Sequence, residues 1–127
     1  MATASLNNQI NEVAEGKDSI VIINALAHIP GGRTLDVSGV DSSVKVLNAG
    51  HVIIKTAAGE YKPLGITTNA YNSLDTGESY VGVLKTSILV SDPRASILTQ
   101  GQVNAAASPY KVTDTIKAGL PLIEFLY

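Results

Sequence analysis

The chain has 127 residues and a mass of 13.2 kDa, which suits one domain with room for an arm. Nine basic and eleven acidic residues leave a net charge of −2 with no run of like charge, so there is neither the basic stripe of a phosphate-backbone binder nor a polybasic membrane patch. With no cysteine, disulfides and thiolate metal sites are excluded.

Large side chains are scarce: one Phe, five Tyr and no Trp. The core must come from Ala, Val, Ile and Leu, and a domain of this size buries roughly two-thirds of its unfolded surface. So thin a core points to oligomerisation as a source of further burial, with a monomer of small aliphatics as the alternative. The longest apolar run falls far short of the roughly 18 residues of a membrane span. The start, Met1 to Asn8, lacks a basic segment followed by a hydrophobic one, so no signal peptide is expected.

In residues 1–18, Leu6, Ile10 and Val13 recur at i, i+4 and i+7, a single helical face. Thr3 or Ser5 is placed to cap it and Gly16 to end it, while Asn7, Asn8 and Asn11 lower helix propensity. A short helix and an unstructured tail both fit, as does an arm that orders on a partner. Ser19 to Ala27 reads as a strand. Ile20, Val21, Ile22 and Ile23 form an unbroken β-branched run, the pattern of a strand buried on both faces, inside this domain or added to a neighbouring subunit. Pro30, Gly31 and Gly32 then stop any regular element. Followed by Arg33, they read as a hinge between arm and domain, with a backbone anion nest as the sharper alternative.

From Thr34 the rhythm changes to short strands. Leu35 and Val37, then Val44 and Val46, alternate with polar residues. Asn48 to Gly50 turns into the hairpin around which the rest is organised. Val52, Ile53 and Ile54 stiffen an extended path, and Ala57 to Gly59 supplies a tight turn. Tyr61 to Leu64 returns, with Pro63 confining it to an edge or a strand end. Asn69 to Ser79 reads as a polar loop. Tyr80 to Leu84 is a strand in which Gly82 marks a bulge or a close backbone approach. Thr86 to Val90 extends or follows it, Ser91 to Arg94 is a turn, and Ala95 to Leu98 and Gly101 to Val103 are two short strands. Thr113 or Asp114 caps a short helix that Gly119 ends, and Leu120 to Leu126 is a last extended segment. Many short strands with regular punctuation predict a mainly β fold: a small barrel- or tulip-like domain with one short helix and an N-terminal arm. The expected division is an arm over 1–30 and a β-rich domain over 31–127.

Catalytic machinery is hard to assemble from these residues. His28 and His51 are the only bases of the type a hydrolytic triad uses. His28 sits in the hinge, and His51 begins the central hairpin, where a side chain pointing from a sheet edge is the ordinary reading. No Gly-x-Ser-x-Gly elbow and no phosphate loop occur. Two histidines without an acidic cluster make a poor metal set, and the loop holding Asp75 and Glu78 lacks the alternating oxygen ligands of a calcium site. The scattered aromatics form no stacking platform. No enzymatic activity, cofactor or metal is expected; the competing enzyme reading is a small hydrolase that depends on His51.

Several segments follow one another in a distinctive order: Ala49-Gly50-His51-Val52-Ile53-Ile54-Lys55, Gly59-Glu60-Tyr61-Lys62-Pro63-Leu64, Val81-Gly82-Val83-Leu84, Ile97 to Ala106, and Ile116 to Ile123. This order, over roughly residues 31–127, resembles the small capsid-decoration and head-fibre proteins of tailed bacteriophages, and Gly31 to Val37 looks like the head-fibre branch. The resemblance implies no enzymatic activity. It implies a homotrimer on the outer surface of the icosahedral head, set over seams between major capsid protein subunits, with an N-terminal arm that orders on the shell. Ile20, Val21, Ile22 and Ile23 are then the expected capsid-binding arm, as the best strand donor in the chain. Ala105, Ala106 and Ala107, small enough for close approach of symmetric copies, are the expected trimer interface. The expected partner is the major capsid protein, with no nucleic acid and no membrane, and the expected location is the virion surface. The alternative is the capsid-proximal base of a head fibre, contributing host-surface or glycan attachment.

Overall fold

The computed structural model describes residues 18–127. The helical face drawn through Leu6, Ile10 and Val13 lies outside them. The described chain opens with a helical turn, α1 (Asp18–Val21), and an edge strand, β1 (Ile22–His28). Val52, Ile53 and Ile54 form β4 (Val52–Lys55), and all three are buried. Gly59, at φ 89°, closes the turn that follows and donates its N–H to the Thr56 carbonyl at 2.9 Å. β5 (Tyr61–Pro63) returns antiparallel, Lys55 opposite Tyr61 and Ile53 opposite Pro63. Pro63 ends β5, which is itself a sheet edge, where a missing donor leaves no ladder bond unmade.

On the other side of β4 lies β8 (Ser79–Leu84), then β11 (Ile97–Asn104), then β1, giving the order β1–β11–β8–β4–β5. β12 (Ile123–Leu126) adds a parallel pairing to β11, from Gly101 opposite Ile123 to Asn104 opposite Leu126. Parallel neighbours need a crossover. It runs through a 3-10 turn (Ala105–Ala107) and a short helix, α2 (Asp114–Gly119). The Thr113 hydroxyl caps α2 by accepting the Ile116 N–H at 3.3 Å, as the sequence predicts.

Alternate residues of β4 divide two cores. Val52 and Ile54 join Val83, Leu98, Val103 and Ile116 on one face; Ile53 joins Leu35, Leu47, Leu84 and Ile97 on the other. The second core is covered by two-residue ladders: β2 (Arg33–Thr34) with β10 (Arg94–Ala95), and β3 (Val46–Leu47) with β9 (Ile88–Leu89). A third small hairpin pairs β6 (Ile66–Thr67) with β7 (Ala70–Tyr71).

The chain is mainly β, and among the described residues helix is confined to short pieces. Among the described residues the main sheet is open, with β1 and β5 as its edges, so it forms no closed barrel. Three local expectations are corrected. Ser19 to Ala27 is not one strand buried on both faces: it begins as α1, and β1 is largely exposed because it is an edge. The unbroken β-branched run that is buried on both faces is Val52 to Ile54. The two short strands around Gly101 are one strand, β11, with Gly101 inside it to admit the Asn24 carbonyl. Residues 69–79 are not all loop, since Ala70 and Tyr71 return as β7. Gly82 meets both halves of its expectation: the β4–β8 register shifts beside it, and a side chain there would collide with the Leu98 carbonyl.

The hinge at Pro30 to Gly32 is a tight turn, with Gly31 at φ 76° and Gly32 at φ 69°. It does not detach what precedes it, because β1 is hydrogen-bonded to β11 within the same sheet.

Candidate functional site

The register of β1 on β11 contains two extra residues. Ile22 pairs with Val103 and Asn24 with Gln102, leaving Ile23 over; Ala25 pairs with Gly101 and Ala27 with Gln100, leaving Leu26 over. Bulges bend a strand and re-aim side chains. Here Ile23 is 43% exposed and Leu26 is 63% exposed, with Ile20 of α1 at 54%. Burying one such side chain contributes about 1.5–3 kcal/mol, so three in one short segment form a surface with something to gain from a partner. The same bulges interrupt the even row of N–H and C=O groups that an added strand would need. This edge offers side chains more readily than backbone.

The four residues expected as the arm therefore separate. Ile20 and Ile23 are exposed, while Val21 is buried in the chain's own first core and Ile22 packs half-buried against it. Val21 seats in the space above Gly50, where a Cβ would strike its Cγ1. It is not available to a partner. The expected trimer residues separate in the same way. The Asn104 side chain caps the 3-10 turn, accepting the N–H groups of Ala106 at 3.1 Å and Ala107 at 3.3 Å. Ala105 and Ala107 pack against the first core, and Ala106 alone is exposed.

His51 does not point from a sheet edge. It is buried, 5% exposed, with Nε2 2.9 Å from the Leu64 carbonyl oxygen. A carbonyl only accepts, so Nε2 carries the proton and Nδ1 keeps its lone pair. Burial holds the imidazole below its usual pKa, and the Leu64 carbonyl, which favours the charged form, offsets part of that. The ring packs edge-on against Tyr71 at 5.4 Å and Tyr110 at 5.8 Å, and the two tyrosines lie 5.5 Å apart. The Tyr71 hydroxyl accepts the Val52 N–H at 3.2 Å, and burial pushes its pKa far up. His51 is thus a neutral ring whose hydrogen bond goes to backbone; among the described residues no serine or carboxylate bonds it.

Sequence reasoning missed Tyr71 and Tyr110. Tyr71 was legible in the two-residue turn Thr68-Asn69 between short apolar segments; Tyr110 follows Pro109 in an irregular stretch with no periodic signal.

Several other polar groups bond locally. Arg33 Nη1 donates to the Gly32 carbonyl at 2.7 Å, and the Gly32 N–H already donates to Ile29, so the nest alternative lacks that donor. Glu78 ties its loop to β5: Oε2 lies 2.8 Å from Lys62 Nζ and Oε1 accepts the Asp75 N–H at 3.0 Å. Among the described residues no three His, Cys, Asp or Glu side chains gather, and no helix is long and apolar enough to cross a membrane. No family model, no curated protein and no solved structure matches the chain.

Proposed function

We propose that the chain is a capsid-decorating protein of a tailed bacteriophage, binding the outer surface of the head as a homotrimer and bridging subunits of the major capsid protein. The observation that carries the reading is the outward pair Ile23 and Leu26 on the bulged β1 edge, beside Ile20. It is supported by the order of motifs from Ala49 to Ile123. A trimer presents three such edges, and weak attachments to a repeating shell multiply through avidity. Reinforcement of this kind needs contact area and no chemistry. Attachment runs through side chains, because the bulges of β1 break the even row of backbone groups along its open side. Ala106 is the point at which symmetric copies approach.

The test mixes the purified protein with heads that lack it and images them by electron microscopy. The expected result is added density at three-fold-related positions, and by light scattering a particle of three times 13.2 kDa. Ile23→Asp with Leu26→Asp should abolish the added density and leave the trimer intact. Bare shells together with a monomer in solution would remove the reading.

A further inference from the structure

Beside His51 the surface opens into a cleft of about 560 Å³, within the usual range for small-molecule sites. The Nε2 proton of His51 is committed to Leu64, and no protein group among the described residues bonds Nδ1. No buried side-chain nitrogen or oxygen there lacks a partner. Nδ1 must therefore reach open space, and the cleft is the space His51 lines. A buried, neutral acceptor at the base of a cleft favours a ligand that brings an O–H or N–H donor.

The lining supplies the rest of the chemistry. Asp41, Asn48 and Asn69 stand at the rim, and Pro109 and Tyr110 form a wall. Oδ1 of Asp41 is held by the N–H and hydroxyl of Ser43 at 2.9 and 3.0 Å, which fixes the carboxylate and leaves its second oxygen for a ligand. Tyr110 is fixed by its edge contacts to His51 and Tyr71. Among the described residues no Lys or Arg lines the cleft, so an anionic ligand finds no counter-charge there. Hydroxyls in several directions and a C–H face for the Pro109–Tyr110 wall describe a sugar ring.

We propose that the cleft between His51 and Tyr110 binds a small uncharged saccharide, with a ring hydroxyl donating to Nδ1 of His51, a second donating to Asp41, and the Asn48 and Asn69 amides bonding others. The proposal rests on the lining of the cleft and does not depend on the capsid reading.

Saturation-transfer NMR with glucose, galactose, mannose, N-acetylglucosamine and N-acetylgalactosamine, each at millimolar concentration, tests it. At least one sugar should receive transfer and shift the His51 Nδ1 resonance. Asn48→Ala, an exposed rim change that leaves the core untouched, should weaken binding at least fivefold, as should Tyr110→Ala. Transfer to none of the five sugars overturns the proposal. So does binding that survives Asn48→Ala unchanged, or equal binding of glucose 6-phosphate. Shell binding by Asn48→Ala should match the unmodified protein, so either reading can fail alone.

Discussion

Gly101 stands opposite Ala25, and a side chain at Gly101 would begin inside the Asn24 carbonyl oxygen. The contact joins the middle of β11 to the strand that carries the exposed aliphatics. Gly101→Ala should push β1 outward and cost about 1–3 kcal/mol, the range for overpacking. A urea melt should show a lower midpoint, and hydrogen exchange should show the β1 amides opening faster than those of β4. Unchanged exchange in β1 would mean that the contact is not close.

The two β-branched runs should respond differently to truncation. Ile53→Ala removes a side chain that is 0% exposed and should cost about 2–5 kcal/mol. Ile23→Ala, at 43% exposed, should change stability by no more than about 0.5 kcal/mol. Equal losses in denaturant melts would contradict the assignment of Ile53 to the core and Ile23 to the surface.

His51 should make stability depend on pH. Its folded pKa lies below the unfolded value of about 6.5, so between the two the unfolded chain binds a proton that the folded chain does not. Stability is full above about pH 6.5, falls as pH drops through that window, and levels off below the folded pKa. The urea midpoint should be lower at pH 5 than at pH 7.5. The carboxylates whose pKa values are lowered, Asp36, Asp41, Glu78 and Asp92, titrate below this range. His51→Gln, whose amide can still donate to Leu64, should flatten the dependence; a slope that persists in this variant would assign it elsewhere.

Thr68 and Asn69 hold φ values of 51° and 60° in the turn between β6 and β7. Both signs suit a type I′ turn, but a β-branched residue pays for the left-handed region where asparagine does so less. Thr68→Asn should raise stability by about 1 kcal/mol. A thermal melt that moves downward would show that the Thr68 methyl is worth more than the backbone relief.

The central hairpin was legible because its signals agree. Val52 to Ile54 demand an extended path, Gly59 allows the turn, and Pro63 is tolerated only at an edge, which is where it lies. The α2 cap was legible for a similar reason, since Thr113 is followed three residues later by the buried Ile116. Ile20 to Ile23 misled because β-branching reports stiffness and not location: Val21 is taken into a helical turn by the space over Gly50, a contact about 30 residues away along the chain. His51 was read as an edge residue because its partners, Leu64, Tyr71 and Tyr110, come from three later segments. No local pattern announces such a meeting. The bulges at Ile23 and Leu26 were hidden for the same reason, as register belongs to a pair of strands and β11 lies far downstream.

β11 has β1, β8 and β12 as partners, and two of those three are brought to it across long stretches of chain. Loop closure over such distances is slow, and topologies of this kind fold in roughly milliseconds to seconds. Until residues 97–104 emerge from the ribosome, β1 has no strand to join and β8 can pair only with β4. A nascent chain halted before β11 would leave β1 unpaired and one side of β8 uncovered, the kind of transiently exposed surface that chaperones bind.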